Sequence, residues 1–154
     1  MVNKFIEMKK EYIRDGRSPK PLNEHTSVVM SSNKAKNTKP ELSFRKELWR
    51  NGLIGYRIHK KSIIGKPDIS YQKRKVAIFI NGCFWHRCTK CNLPLPKSNK
   101  IFWRRKFDIN VNRDKLKINQ LRDIGWRVLV FWECDIRNNL EACIFKTKSF
   151  INKK

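Results

Sequence analysis

Cys83, Cys88 and Cys91 follow one another as C-x4-C-x2-C, and Cys134 comes directly after an apolar run that could return the chain to the same edge. Four thiolates suit a closed tetrahedral zinc site, which is structural because it leaves no position for water or substrate. Such clustering in a cytosolic chain favours metal over disulfide, with unmetallated thiols as the alternative. The remaining cysteine, Cys143, falls within a predicted helix and reads as a small buried hydrophobe.

Asp68 is the second group with chemical potential. Between Leu48 and Phe107 it is the only carboxylate side chain, among lysines and arginines that include Arg57, Lys66, Arg87 and Arg104–Lys106. Two readings stand open: an ion pair with a neighbouring base, or a divalent-metal ligand within a phosphate-binding surface. Either should keep it ionised and its pKa low. His86 lies inside the cysteine loop, just beyond the strand expected to neighbour that of Asp68, where a neutral imidazole could take a proton from water near a phosphate. Next to it stand Phe84 and Trp85, with Trp103 farther along. They read either as core or as a wedge that unstacks a base step.

The positioning elements are short. Thr38-Lys39-Pro40-Glu41 reads as a helix start, with a Thr cap, Pro in the first turn and Glu three residues on. Leu42, Phe44, Leu48 and Trp49 give that helix an apolar face, and Asn51-Gly52 ends it. Strands are predicted at 56–59, 68–71 and 76–80, the last two joined as a hairpin by the basic turn 72–75. One or two helices are expected from Phe102 to about Ile124, then a strand over 126–133 and a closing helix over 140–151. The order implies an α/β domain with a mixed sheet flanked by helices. Residues 1–37 read as a basic arm, mobile when free, with a short helix around 5–13, and residues 38–154 as a single domain.

Composition sets the class of partner. The chain has 154 residues with 36 Lys plus Arg against 13 Asp plus Glu, a formal net charge of +23. That balance points to a polyanion, most simply nucleic acid. A hydrophobic content of 40% excludes a wholly disordered basic tail. The apolar runs are too short to cross a bilayer, and the first residues carry no apolar signal segment, so a cytoplasmic protein is expected.

Several separated motifs, in order over about residues 30–138, resemble the very-short-patch repair (Vsr-type) mismatch endonucleases. They are Thr38–Glu41 through Gly52, Gly65-Lys66-Pro67-Asp68, Asn81-Gly82-Cys83-Phe84-Trp85-His86, Asn110-Val111-Asn112-Arg113-Asp114, Gly125–Leu129 and Trp132-Glu133-Cys134. The resemblance implies a restriction-endonuclease-like core, a structural Zn²⁺ and Mg²⁺-dependent nicking of one DNA strand 5′ of the thymine in a T·G mispair. It places a catalytic acid of the first helix at Glu41, the Mg²⁺ ligand at Asp68 and a metal-facing backbone carbonyl at Ile80. It makes His86 catalytic, oriented by Asp114. Cys83, Cys88, Cys91 and Cys134 become the zinc ligands, and Phe84, Trp85 and Trp103 the intercalating aromatics.

Cys88 stands where many relatives have histidine, and Asn81 where relatives carry Asp or His. No acid-x-Lys follows Asp68 on the next strand. Glu41 has two readings, a capping-box residue and a catalytic acid. The expected partner is double-stranded DNA with a T·G mismatch, together with a mismatch-repair accessory protein, acting on a monomer that is nucleoid-associated when on DNA. Two alternatives remain: a homing or restriction-associated nicking endonuclease on the same core, and a non-catalytic zinc-braced DNA-binding module.

Overall fold

The computed structural model describes residues 23–152. The helix expected around residues 5–13 lies outside them. The elements run α1 (Glu24–Ser31), α2 (Lys39–Arg50), β1 (Arg57–Ile58), β2 (Ile69–Tyr71), β3 (Val76–Asn81), α3 (Lys100–Asp123), β4 (Arg127–Trp132), α4 (Glu133–Asn138) and α5 (Leu140–Asn152). The sheet order is β1-β2-β3-β4. β1, β2 and β3 pair antiparallel, and β3 pairs parallel with β4.

Alternation along β3 sorts the layers. Val76, Ile78 and Ile80 enter one core with Phe44 and Leu48 of α2 and with Ile144 and Ile151 of α5. Ala77 faces the other way, with Leu121 of α3, and Phe79 packs against that smaller cluster. A strand whose successive side chains point to opposite faces can be covered on both only by apolar residues, which is why residues 76–80 form an unbroken apolar run. The sheet is therefore mixed and enclosed by helices, as the element order implied.

The hairpin between β2 and β3 turns through a short 3-10 segment (Gln72–Arg74) and Lys75 in the left-handed region, at φ +48°. Residues from Phe102 to Ile124 were open to one or two helices; they form most of a single 24-residue helix. Gly125, at φ +80°, follows it and lets the chain turn into β4. Two helices went unread. α1 lies within the segment read as an arm and has no clear apolar stripe. α4 is only six residues long and begins directly at the end of β4.

Candidate active site and cysteine cluster

The parallel register decides where the loops meet. Asn81, the last residue of β3, lies opposite Trp132, the last of β4. Cys83 and Cys134, each two residues farther on, therefore leave the same sheet edge. Potential ligand atoms of Cys83, Cys88, Cys91 and Cys134 all lie within 4.8 Å of one another. The Sγ atoms of Cys88 and Cys134 are 3.8 Å apart, which matches the edge of a tetrahedron of sulfurs about 2.3 Å from a centre, close to 3.8 Å. None of the four forms a disulfide. Burial pushes the Cys83 and Cys134 thiols up. At Cys88 burial acts the same way, but the backbone N–H groups of Cys91 and Lys90 outweigh it and hold the thiol below its ordinary value. Lys90 Nζ donates to Asp135 Oδ1 at 2.6 Å and pins the loop to α4. The donor set and spacing fit a closed metal site. Cys143 lies in the main core, as expected of a small hydrophobe.

A cleft of about 870 Å³ opens beside this cluster, lined by Glu41, Asp68, Ile80, His86 and Asp114. Lys34, Lys39, Lys66, Lys106, Arg113 and Lys117 share its walls. Asp68 precedes β2, and its Oδ2 accepts the Ile80 N–H at 2.7 Å. Gly65 lets the loop before Asp68 pass close to Phe79 and α3: at φ +75° a Cβ there would lie 3.2 Å from Phe79 and Lys117 carbon atoms.

The expectation of a low Asp68 pKa is overturned. Burial first, and the neighbouring Glu41 carboxylate, raise it to about 6 against the Ile80 hydrogen bond and the charges of His86 and Arg45. The basic residues of the surrounding sequence act mostly from the surface, whereas the carboxyl itself is desolvated.

Glu41 makes the capping-box bonds that its spacing suggested. Its Oε1 accepts from Thr38 N–H at 3.3 Å and Thr38 Oγ1 at 2.9 Å, and its Oε2 from Asn37 N–H at 3.0 Å. It is nonetheless buried and turned to the cleft. The capping bonds fix the carboxylate in place without using all of its acceptor capacity.

His86 Nδ1 is hydrogen-bonded to Asp114 Oδ2 on α3. Asn110, one turn earlier on that helix, donates to Trp85 O at 3.0 Å and anchors the same loop. Lys106, Asn110, Arg113, Asp114 and Lys117 recur at helical spacing, so one face of α3 overhangs the cleft. The ring centroids of Phe84 and Trp85 are 5.1 Å apart, those of Phe84 and Trp103 5.6 Å, and those of Trp85 and Trp103 5.9 Å. Phe84 and Trp85 are half-buried. Trp103 is only 6% exposed and stacks on buried Phe107, so in this conformation it backs the other two rings.

His59 escaped the sequence reading. It follows β1, and its N–H donates to Asp68 O at 3.4 Å. Its Nδ1 is 3.6 Å from Asp68 Oδ1 and its Nε2 3.2 Å from Glu41 Oε2. Burial lowers its pKa, with Arg45 and Lys36 acting in the same direction against Glu41. The signal was the pairing of β1 with β2, which sets His59 across from Asp68; reading the strands singly hid it.

A mixed sheet between helices, with an acid just before β2 and a histidine–aspartate pair in one basic cleft, fits the arrangement expected of a DNA endonuclease of the restriction-endonuclease-like class. Residues 22–93 match the family described as DNA mismatch endonuclease Vsr. Over 135 residues the chain is 40% identical to the type II nicking enzyme V.NmeDIP of Neisseria meningitidis serogroup C, covering 85% of this chain and 88% of that protein. It is 44% identical over 114 residues to V.NmeAIP of N. meningitidis serogroup A, covering 73% and 79%. With the DNA mismatch endonuclease Vsr of Escherichia coli it shares 37% identity over 84 residues, 54% of each chain. The chain belongs to the Vsr family of DNA endonucleases, which sets aside the non-catalytic module.

Proposed function

We propose that the protein nicks one strand of duplex DNA on the 5′ side of the thymine in a T·G mispair, in a Mg²⁺-dependent reaction that begins repair of deaminated 5-methylcytosine. The observation that carries this reading is the shared cleft, in which Asp68, the His86–Asp114 pair and the aromatic loop lie together under a basic helix face.

Asp68, with Glu41 beside it and the Ile80 main chain, would hold Mg²⁺, and the four cysteines Zn²⁺. When bound, Mg²⁺ stabilises charge developing on the phosphate and makes water more acidic. The remaining steps fall to the chain. Asp114 holds Nδ1–H of His86, leaving the Nε2 lone pair to accept a proton from the attacking water. Water adds to phosphorus as the bridging P–O bond breaks. Lys66, Lys106, Arg113 and Lys117 hold the backbone phosphates without reading sequence. Phe84 and Trp85, with Trp103 behind them, enter the stack at the mispair, where unstacking costs least. The protein acts as a monomer in the cytoplasm, on the nucleoid, with a mismatch-repair accessory protein. Among the described residues no helix is long and apolar enough to cross a membrane.

The names of two similar proteins, both type II nicking enzymes, favour one second reading: a homing or restriction-associated nicking endonuclease on the same core. Single-turnover nicking of a T·G duplex against its matched T·A counterpart in Mg²⁺ separates the two. Repair predicts strong preference for the mispair; equal rates would remove it.

A further inference from the structure

Among the described residues, Glu41, His59 and Asp68 form the one cluster besides the cysteines whose potential ligand atoms lie within 4.8 Å of one another. Each carboxylate has an oxygen pinned away from the centre. Asp68 Oδ2 takes the Ile80 N–H, and Glu41 Oε1 takes both groups of Thr38. The other oxygens, Asp68 Oδ1 and Glu41 Oε2, face the two nitrogens of the His59 ring, although Asn37 N–H also reaches Glu41 Oε2.

A neutral imidazole carries one N–H and one lone pair. It can satisfy one of these carboxylates but turns a lone pair toward the other. His59 Nε2 is indeed fully buried and makes no well-aligned hydrogen bond despite its closeness to Glu41. Two buried carboxylates and an imidazole lone pair are complementary to a cation. One ion can take only one ring nitrogen: the 3.2 Å from Nε2 to Glu41 Oε2 is near the spacing of about 3 Å between adjacent donors on a divalent ion ligated at about 2.1 Å, and one donor atom from each of the three residues lies within 4.8 Å of the others. Residue 59 holds its ring there from the left-handed region, at φ +44°, where histidine is more common than most side chains.

We propose that Glu41, His59 and Asp68 form a divalent-cation site in which His59 supplies a nitrogen ligand. The mixed nitrogen–oxygen donor set takes Mn²⁺ more tightly than Mg²⁺. This rests on the reading of Asp68 as a metal ligand and adds to it a ligand from the residue that follows β1 and faces both carboxylates.

The test uses the zinc-loaded full chain without DNA, titrated with Mn²⁺ and followed by electron paramagnetic resonance. Zinc is diamagnetic and leaves the signal clean. Wild type should bind Mn²⁺ with nitrogen coupling from an imidazole. His59→Asn suits the position because asparagine tolerates positive φ, and it should lose the coupling and at least about tenfold in affinity. His59→Gln provides a second variant, and zinc content with circular dichroism confirms that each is folded. His86→Ala should keep both signals, which excludes the other cleft imidazole as their source. Undiminished nitrogen coupling and affinity in both His59 variants would overturn the proposal. Should Asp68→Asn alone abolish binding in that case, the metal role of Asp68 survives and only the His59 ligand falls. Should Asp68→Asn also bind as wild type, the metal reading falls as well.

Discussion

His86 Nδ1 is hydrogen-bonded to Asp114 Oδ2 across 28 residues, joining the loop after β3 to α3. The bond sets the tautomer of the ring: a proton on Nδ1 leaves Nε2 as the base. Asp114→Asn offers an amide in place of the carboxylate and favours the wrong tautomer. Single-turnover nicking should fall by roughly 10²–10⁴-fold, with DNA binding in the absence of cleavage nearly unchanged. His86→Ala should lose as much, and the double variant little more, because the two residues act as a unit. Additive losses would mean that Asp114 works independently of His86.

Asp68 should make the Mg²⁺-free protein less stable as pH rises. Its folded pKa of about 6 stands above the ordinary 3.8. Between those values the folded state binds more protons than the unfolded state, so stability declines across about pH 4 to 6 and the loss is complete above it. The difference corresponds to roughly 3 kcal/mol. Asp68→Asn should therefore raise the thermal midpoint near pH 8 in zinc-loaded protein without added Mg²⁺ and have little effect near pH 4. Mg²⁺ should raise the midpoint of wild type near pH 8 and not that of the variant. A stabilisation equal at both pH values would place the strain elsewhere.

The residues whose partners are near in sequence, or whose spacing is itself the signal, were legible. Thr38 and Glu41 announced α2 because both ends of the capping pair fall within four residues. The turn 72–75 announced the β2–β3 hairpin, and the spacing of three cysteines announced that their side chains cluster. Cys134 was legible only through the expectation that its strand returns to the same edge. Two properties depended on burial and pairing, which composition does not reveal. The Asp68 carboxyl lies in a desolvated cleft although the sequence around it is basic. His59 acquires its importance only when β1 is set in register against β2. Trp103 looked equivalent to Trp85 by type, yet lies in a layer behind it.

The cysteine cluster should hold about one zinc per chain after purification without added metal. Cys134→Ala takes a ligand from α4 and so unties the loop from the end of β4. Zinc content should drop, and limited proteolysis should cut within residues 86–99, which contain little regular structure. Cys143→Ala keeps all four ligands and should retain zinc, losing only the packing of a small core side chain. Full zinc in Cys134→Ala would exclude Cys134 as a ligand.

Phe84, Trp85 and Trp103 should separate into a reading pair and a support. Phe84 and Trp85 are half-buried on the cleft loop, whereas Trp103 is packed against Phe107 with ring centroids 5.5 Å apart. Trp85→Ala should leave the fold nearly intact and preserve affinity for matched duplex, which rests on phosphate contacts and is set by salt. It should reduce the preference for nicking the T·G duplex. It should also weaken the fluorescence rise of 2-aminopurine placed beside the mispair, a direct reporter of unstacking. Trp103→Ala deletes a buried ring and should cost about 3–5 kcal/mol of stability, visible as a lower thermal midpoint without DNA. The two variants thus fail in different assays. If Trp85→Ala keeps full mispair preference and full unstacking, the aromatic loop is core packing alone, and selectivity must come from the basic face of α3 or from the segment preceding α2.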